Sequence, residues 1–187
     1  NLLSGRNINT VIDCGAYRGD STASLINALA PKCIFAAEPD PGTFKKLSAY
    51  CENENRCSVI PVNCAVGDKC GEIEISASAG RGSGASGTTK GAKSKTVPLM
   101  TADSIAGEQK IDLIKYDVEG DEWEALRGSE GVIRRDAPSL AVSVYHRTDD
   151  LYDIPLLIKE LCPDHSFYLR RADCIPAWDI VLFAVKR

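Results

Sequence analysis

Short apolar runs alternate with longer amphipathic stretches along almost the whole chain. The apolar runs predict strands at NTVIDC (9–14), CIFAAE (33–38), SVIPVNCAVG (58–67), DLIKYDVEG (112–120) and SLAVSVYH (139–146). Elsewhere apolar residues recur at intervals of three and four, which predicts helices at DSTASLINALA (20–30), PGTFKKLSAYCEN (41–53), DEWEALRGSEGVIRR (121–135) and IPLLIKELC (154–162). Asp20 or Ser21 is expected to cap the first of these helices.

This alternation is typical of a mostly parallel sheet that helices cover on both faces. The last two apolar runs, SFYLRR (166–171) and DIVLFAVKR (179–187), have no helix between them, so we expect an antiparallel hairpin at one edge. A chain of 187 residues, 44% of them hydrophobic, fits one domain over 1–187. The predicted fold class is therefore α/β, with a Rossmann-like doubly wound sheet.

One segment interrupts the rhythm. GEIEIS (71–76) and SKTVPLM (94–100) alternate like the strands of a hairpin, which predicts an insertion at about 71–101. Between them, residues 77–93 are dense in Gly, Ser, Ala and Lys. Such a stretch is either a flexible solvated loop or a mobile lid, and its composition does not separate the two.

The charge balance narrows the partners. A formal net charge of -4 and a pI near 5.3 give no electrostatic footprint for nucleic acid or an anionic membrane, and a small substrate fits better. No apolar run approaches the roughly 20 residues of a membrane helix. No charged-then-apolar leader opens the printed sequence, so nothing in it indicates secretion.

The cysteines indicate a compartment. None forms a C-x-x-C pair, and Cys14 and Cys33 lie in strand-like runs, where a thiol acts as a small hydrophobe. We therefore expect free thiols and a reducing, cytoplasmic location. The full set is Cys14, Cys33, Cys51, Cys57, Cys64, Cys70, Cys162 and Cys174. Trp123 and Trp178 are expected to be packing residues.

A glycine turn follows the first strand, in TVIDCGAYRGDST (10–22). A dinucleotide fingerprint needs a second glycine where this chain has Tyr17, which disfavours a nicotinamide oxidoreductase. No Gly-Lys-Ser/Thr follows, so a P-loop also fails. The turn instead suits a cofactor that lacks a pyrophosphate, and S-adenosylmethionine is such a cofactor.

S-adenosylmethionine also explains two carboxylates. Asp13, at the end of the first strand, suits the ammonium of its methionine part, and backbone amides after Gly15 suit its carboxylate. Glu38 follows Gly15 by 23 positions, at the tip of the second strand, where an acidic residue accepts the ribose hydroxyls. The alternative for Glu38 is a solvated turn carboxylate.

The ordered set of motifs resembles the FkbM family of S-adenosylmethionine-dependent methyltransferases. The stretches that carry the resemblance are VIDCGAYRGDST, AAEPDP, VNCAVGD, DLIKYDVEGDEWEALRG and LAVSVYHRTDDLYDIPLLIKEL. The resemblance implies the class I fold, with about seven strands and an antiparallel last strand. It also implies methyl transfer, usually to a hydroxyl oxygen of a sugar or natural product.

By position, the resemblance assigns the cofactor contacts. Those expected at the methionine end are Asp13, Gly15, Ala16 and Gly19, those at the ribose are Glu38 with Pro39, and those flanking the adenine are Asn63, Ala65 and Val66. This chain departs from many members at Tyr17, Asp121 and Val144. Val144 stands where many members have an acidic residue, so no catalytic role is carried over to that position.

The chemistry selects further residues at the carboxyl ends of the strands. An alcohol that attacks a sulfonium methyl must lose its proton, so a general base or a metal is expected nearby. The candidates are Lys115, Asp117, Glu119, Tyr145 and His146, and the first three share one face if the strand continues through them. His165 is expected to be an ordinary loop residue.

Alternatives stay open for most of these residues. Lys115 is either functional or part of a structural ion pair, Glu119 is either catalytic or a helix cap, and His146 is either a general base or a structural hydrogen bonder. Asp117 is favoured as a substrate or cofactor contact. A cluster of Asp117, Glu119 and His146 has the side chains to hold a divalent ion, but no metal is expected.

The sequence therefore predicts an S-adenosylmethionine-dependent O-methyltransferase that acts on a small-molecule or sugar hydroxyl. The alternative is a degenerate module that binds without catalysis, which the intact set of Asp13, Gly15, Glu38 and Asp117 disfavours. No nucleic acid or membrane partner is expected, and the oligomeric state is left open.

Overall fold

The computed structural model describes residues 2–3, 5–76, 94–171 and 179–186. Its strands are β1 (Thr10–Cys14), β2 (Cys33–Ala37), β3 (Ser58–Val62), β4 (Ala65–Val66), β5 (Gly71–Ser76), β6 (Ser94–Met100), β7 (Leu113–Tyr116), β8 (Ser139–Ser143), β9 (His165–Arg171) and β10 (Ile180–Lys186). Its helices are α1 (Asp20–Leu29), α2 (Pro41–Asn53), α3 (Ala102–Ala106), α4 (Glu122–Arg127), α5 (Glu130–Asp136) and α6 (Asp150–Leu161).

The main sheet has seven strands in the order β3-β2-β1-β7-β8-β10-β9. The first five of these pair in parallel, whereas β10 runs antiparallel to both β8 and β9. This arrangement confirms the predicted α/β class, the mostly parallel sheet and the antiparallel last strand. Since β1 lies between β2 and β7, Asp13 stands beside Ala36 on one side and Lys115 on the other.

Helices cover both faces of this sheet, because strand residues alternate between two hydrophobic clusters. Ile12 and Ile114 pack with residues of α3 to α6 on one face, whereas Val11 and Leu113 pack with α1 and α2 on the other. The doubly wound arrangement brings the carboxyl ends of β1, β2, β7 and β8 to one edge of the sheet.

A second, three-stranded sheet has the order β4-β6-β5. Its β5 and β6 pair antiparallel from Gly71–Leu99 to Ser76–Ser94, which confirms the predicted hairpin. The predicted strand 58–67 was wrong as a single element, because the chain leaves the main sheet after Val62 and β4 pairs with β6. The predictions for the loop 77–93, Cys174 and Trp178 lie outside the described residues.

Two further boundaries differ from the prediction. The single helix expected at 121–135 is α4 followed by α5, with a break at Gly128, where a Cβ would lie 1.9 Å from the carbonyl oxygen of Gly67. The strand expected at 112–120 ends at Tyr116, because Glu119 has a left-handed φ of 58° that an extended strand does not accommodate. Helix α6 begins at Asp150, earlier than predicted.

The cysteines within the described ranges are free thiols, as predicted. Cys14, Cys57, Cys64 and Cys162 are buried, whereas Cys70 is exposed. Burial raises the pKa of Cys64 to about 12, so its thiol stays protonated and unreactive. In the part of the chain that the structure describes, no helix is both long and apolar enough to cross a membrane.

Candidate active site

The glycine turn after β1 packs directly on the end of β7. Gly15 has φ 86°, and a Cβ at this position would lie 1.9 Å from the carbonyl oxygen of Asp117. Gly19 has φ 100°, and a Cβ there would lie 2.6 Å from the ring of Tyr50. Only glycine combines these backbone angles with such close approaches, so both positions are fixed by geometry.

The amides of this turn are largely engaged within the protein. Gly15 N and Ala16 N donate to the carbonyl of Ala37 at 3.1 and 2.9 Å, and Gly19 N donates to Ala16 O at 2.9 Å. Ala16 is completely buried. In this conformation the first amides after Gly15 do not face a ligand, contrary to the expectation that they meet the cofactor's carboxylate.

The start of α1 also differs from the prediction. Its N-cap is Gly19, and no side chain caps the helix. Ser21 Oγ donates instead to Asp13 Oδ2 at 2.7 Å, and Thr22 Oγ1 donates to the same oxygen at 2.8 Å. The first turn of α1 therefore holds the carboxylate of Asp13 beneath the glycine turn.

Asp13 and Lys115 form a buried ion pair. The carboxylate of Asp13 is fully buried, and its Oδ1 lies 3.0 Å from Lys115 Nζ in an ionic contact that lacks the angle of a hydrogen bond. Lys115 is 17% exposed, and its ammonium also lies 3.7 Å from Asp117 Oδ2. Burial lowers the pKa of Lys115, but Asp13 and Asp117 outweigh it and the pKa ends above its usual value.

This pairing departs from the predicted arrangement. Lys115 lies between Asp13 and Asp117, not between Asp117 and Glu119, because the strand ends before Asp117. The carboxylate of Asp13 lies under the turn, so the structure gives it a supporting position and not a surface that meets the cofactor's ammonium.

Glu38 lies at the carboxyl end of β2, next to the glycine turn. Its Oε2 accepts from Tyr17 N at 3.1 Å and its Oε1 accepts from Asp40 N at 3.0 Å. The residue is 7% exposed, and burial raises the pKa of its carboxyl to about 7 in spite of these two hydrogen bonds. Glu38 is therefore a held carboxylate and not a solvated one.

The three residues expected at the adenine lie on the same side of the sheet. Asn63 Nδ2 donates to the carbonyl of Glu38 at 2.8 Å and to that of Pro39 at 3.1 Å. Ala65 and Val66 form β4, where Val66 is buried and Ala65 is half-buried. Asn63 thus fixes the tip of β2 through its side chain, a role that the sequence did not predict.

Asp117 begins a second group of polar side chains, beyond the end of β7. Its Oδ1 accepts from Ser143 Oγ at 2.9 Å and from Tyr145 Oη at 3.3 Å. Burial and the carboxylate of Asp117 raise the pKa of Tyr145, so its hydroxyl stays protonated and donates. His146 Nε2 lies 3.7 Å from Asp117 Oδ1 and 3.4 Å from Glu119 Oε2.

Glu122 completes this group, and sequence reasoning missed it. Its fully buried carboxylate accepts from Val118 N at 2.9 Å and Gly120 N at 3.0 Å, and it bonds His146 Nδ1 at 2.8 Å. Burial lowers the pKa of His146, but the bond to Glu122 and the nearby carboxylates outweigh it and raise the pKa. Glu122 organises the loop before α4, a role that had been considered for Glu119.

The other histidine differs from its prediction. His165 is the first residue of β9 and is buried, with its Nε2 bonded to the carbonyl of Pro138 at 2.9 Å. It is therefore a core residue and not an ordinary loop residue. Trp123, expected to be a packing residue, is 38% exposed.

The geometry can serve two binding partners at once. On one side of the Gly15 turn, Glu38 offers a held carboxylate to a ligand with hydroxyl groups. On the other side, Asp117, Glu119 and His146 face one another at distances suited to proton transfer or cation binding. Among the described residues, ligand atoms of Asp117, Glu122 and His146 all lie within 4.8 Å of one another, close enough to hold a metal ion.

The sheet order and the edge at which these side chains meet define an α/β methyltransferase fold. A methyltransferase FkbM from Methylobacillus flagellatus has a crystal structure that matches with a TM-score of 0.76 and 25% identity, over 95% of this chain and 44% of that one. A fibrillarin from Aeropyrum pernix, solved with natively bound S-adenosyl-L-methionine, matches with a TM-score of 0.55 and 13% identity, over 96% and 66%. The latter likeness shows the fold alone.

The chain belongs to the family of the methyltransferase FkbM domain, whose family model matches residues 13–167. A curated relative, the hexuronic acid methyltransferase AglP of Haloferax volcanii, is 30% identical over 137 residues, which are 68% of this chain and 53% of that protein. The chain therefore spans about half the length of this relative and of the Methylobacillus protein.

Proposed function

We propose that this chain is an S-adenosylmethionine-dependent methyltransferase that methylates a hydroxyl oxygen of a sugar or another small molecule. Its family membership supports methyl transfer. The observation that carries the proposal is the contact of the Gly15 turn with the end of β7, which brings Glu38 and the Asp117–His146 group to the same edge of the sheet. A methyl donor and its acceptor need such adjacent sites.

The cofactor side of this edge is formed by the turn and the tip of β2. Glu38, with Pro39 beside it, would accept the ribose hydroxyls, and Ala65 and Val66 would flank the adenine. Gly15, Ala16 and Gly19 would shape the space for the methionine end, while Asp13 would act from below by holding Lys115 and α1. The Aeropyrum fibrillarin, which has the same fold and binds S-adenosyl-L-methionine, supports this cofactor.

The acceptor side would supply the proton acceptor. The acceptor hydroxyl displaces the methyl group from the sulfonium in line, and it must give up its proton as its oxygen becomes bonded to carbon. Asp117, Glu119 and His146 are the groups at this position, and Lys115 fixes the orientation of Asp117 through the contact with its Oδ2. When bound, the cofactor supplies an electrophilic methyl group.

The curated relative supports a sugar as the acceptor, since AglP is named for hexuronic acid methylation. We propose a sugar hydroxyl as the first acceptor to test. The expected cytoplasmic location, which the free thiols favour, stays a prediction. The same holds for the expected lack of nucleic acid and membrane partners.

The first experiment is calorimetric titration of the chain with S-adenosylhomocysteine, the demethylated product of the cofactor. Micromolar binding is expected for the wild type, and Glu38→Ala should weaken it at least about tenfold, because the two ribose hydroxyls lose a charged acceptor. Glu72→Ala, an exposed carboxylate in the small sheet, is the matched control and should bind like the wild type. Absence of binding to the wild type would contradict the proposal.

Activity is then measured by transfer of a radiolabelled methyl group from S-adenosylmethionine to a panel of free and glycosidically linked hexuronic acids and neutral hexoses. Transfer that Asp117→Asn abolishes would support the acceptor side as drawn. Undiminished transfer by Asp117→Asn would contradict the assignment of the acceptor side.

A further inference from the structure

We infer that Asp117, Glu119 and His146 form a binding site for one divalent cation, and that Glu122 is the carboxylate that orients the histidine for it. This inference rests on the proposed function, because the cation would act on the acceptor hydroxyl at the same edge of the sheet. It revises the expectation, drawn from the sequence, that no metal takes part.

The distances between the side chains fit ligands that share an ion. His146 Nε2 lies 3.4 Å from Glu119 Oε2 and 3.7 Å from Asp117 Oδ1. Both distances exceed the usual range of an N–H···O hydrogen bond, about 2.7–3.2 Å. Oxygen and nitrogen atoms bound at about 2.1 Å to one octahedral cation lie roughly 3 Å apart when adjacent and about 4.2 Å apart when opposite, and the observed distances fall between these values.

The histidine itself gives a second, independent observation. Its side chain is only 10% exposed, and its Nδ1 is bonded at 2.8 Å to the fully buried carboxylate of Glu122. Metal-bound histidines usually donate their other ring N–H to a carboxylate, which fixes the tautomer and leaves the remaining nitrogen as a ligand. Glu122 imposes this tautomer, because Val118 N and Gly120 N hold its two oxygens in place.

With the proton on Nδ1, the lone pair of Nε2 points between two carboxylates, an arrangement that needs a positive charge. Two cationic side chains of the neighbourhood are directed to other carboxylates. Lys115 lies against Asp13 and the other oxygen of Asp117, and Arg147 contacts Asp121 and Glu124. A divalent cation at Nε2 would balance the carboxylates that remain.

One imidazole with carboxylates suits Mg²⁺ and Mn²⁺ better than the softer metals that prefer thiolates. A cation here would bind the acceptor oxygen and lower the pKa of the hydroxyl. The hydroxyl proton then passes to a carboxylate oxygen of Glu119 that the cation leaves free. The oxygen forms the bond to the methyl carbon, and the electron pair of the broken C–S bond returns to sulfur, which leaves the neutral thioether product.

The test is titration of the metal-free chain with Mn²⁺, followed by the loss of the free-ion signal in electron paramagnetic resonance. One Mn²⁺ per chain is expected for the wild type. His146→Asn and Asp117→Asn should each weaken binding at least about tenfold, and Glu122→Gln about tenfold or more through the lost orientation of the ring. Glu130→Gln, which removes a carboxylate from α5 far from the group, should bind Mn²⁺ like the wild type.

The two histidines allow a second readout by NMR. Bound Mn²⁺ should broaden the ring signals of His146 and leave those of His165 sharp, because His165 lies at the opposite edge of the sheet, paired with Lys186. Titration of each variant with S-adenosylhomocysteine shows that it is folded. If His146→Asn does not fold, Glu122→Gln and Asp117→Asn carry the comparison.

The outcomes separate the two proposals. A wild type that binds S-adenosylhomocysteine but no Mn²⁺ at millimolar concentration overturns the cation site and leaves the proposed function standing. Mn²⁺ binding that is equally tight in all three variants also overturns it. Binding of Mn²⁺ without any binding of S-adenosylhomocysteine supports the cation site and contradicts the proposed function.

Discussion

The two edges of the main sheet carry similar charged residues and satisfy them differently. At the amino edge, Asp112 accepts from the amides of Asn9 and Thr10 at 2.8 and 3.1 Å, and Asp136 accepts from Ile111 N at 2.8 Å. These carboxylates bind the chain's own backbone at the starts of strands. They contribute to the fold and have little capacity left for a ligand.

At the carboxyl edge, side-chain charges face other side-chain charges. Asp117, Glu119 and Glu122 surround one histidine, and Asp13 shares Lys115 with Asp117. A hollow of about 430 Å³ lies at the amino edge, lined in part by Arg6, Lys110 and Asp112. The comparison therefore teaches that the way charges are satisfied marks the candidate site better than a cavity does.

The largest expected effect tests the buried pair at the carboxyl edge. Lys115→Met leaves the buried carboxylate of Asp13 without its countercharge, so the free energy of unfolding should fall by about 3–5 kcal/mol. Urea denaturation measures it. The double variant Asp13→Asn/Lys115→Met should recover much of this loss, and a loss below about 1 kcal/mol for Lys115→Met would show that the pair is not what holds this edge.

The second prediction compares two glycines with positive φ. Gly15→Ala places a Cβ against the carbonyl of Asp117, whereas Gly107, near the amino edge with φ 50°, has open space around the added atom. Backbone strain alone should cost Gly107→Ala about 1–2 kcal/mol of unfolding free energy. Gly15→Ala should cost about 3 kcal/mol and abolish binding of S-adenosylhomocysteine, and equal losses in the two variants would contradict the close approach.

The third prediction concerns the amino edge itself. Asp112→Ala removes a charged acceptor from two backbone amides, so we expect a loss of about 2 kcal/mol in unfolding free energy. Affinity for S-adenosylhomocysteine, measured by calorimetry, should stay within about twofold of the wild type, since fewer than one kcal/mol would reach the other edge. A large loss of affinity in a stably folded Asp112→Ala chain would remove the distinction between the two edges.

The smallest effect is a pH dependence of cofactor affinity. Glu38 has a pKa raised to about 7, so its carboxyl is mostly protonated at pH 6 and mostly ionised at pH 8. Only the ionised form accepts both ribose hydroxyls, and affinity for S-adenosylhomocysteine should therefore rise about tenfold from pH 6 to pH 8. Glu38→Gln should bind weakly and show little of this rise, and a wild type whose affinity falls with pH would refute the role of Glu38.

Much of the fold was predictable, because its information is local and periodic. The prediction of α2 matches the structure residue for residue, since Pro41 opens the helix and Phe44, Leu47 and Tyr50 recur at helical spacing. The strand 58–67 failed because its division depends on distant partners. Its first half pairs with β2, and Ala65–Val66 pair with β6, which lies some thirty residues further along the chain.

The candidate site was predictable in its location but not in its contacts. The rule that ligands bind at the carboxyl ends of parallel strands brought Glu38, Asp117 and His146 to one edge correctly. Glu122 was missed because an acidic residue in the first turn of a helix is ordinary there, where it complements the helix dipole. Its role depends on His146, which the sequence places 24 positions away and only tertiary structure brings within 2.8 Å.

The pairing of β1 with β7 divides the site into two inheritable halves. The residues proposed for the cofactor come from positions 13–66, and those proposed for the acceptor come from positions 115–146, with the seam running from Val11–Leu113 to Cys14–Tyr116. Two contacts cross the seam at the site, the ion pair of Asp13 with Lys115 and the approach of Gly15 to the Asp117 carbonyl. A chimera that exchanges the second half between relatives therefore has to preserve little more than a lysine and a glycine to graft a new acceptor preference onto an unchanged methyl donor.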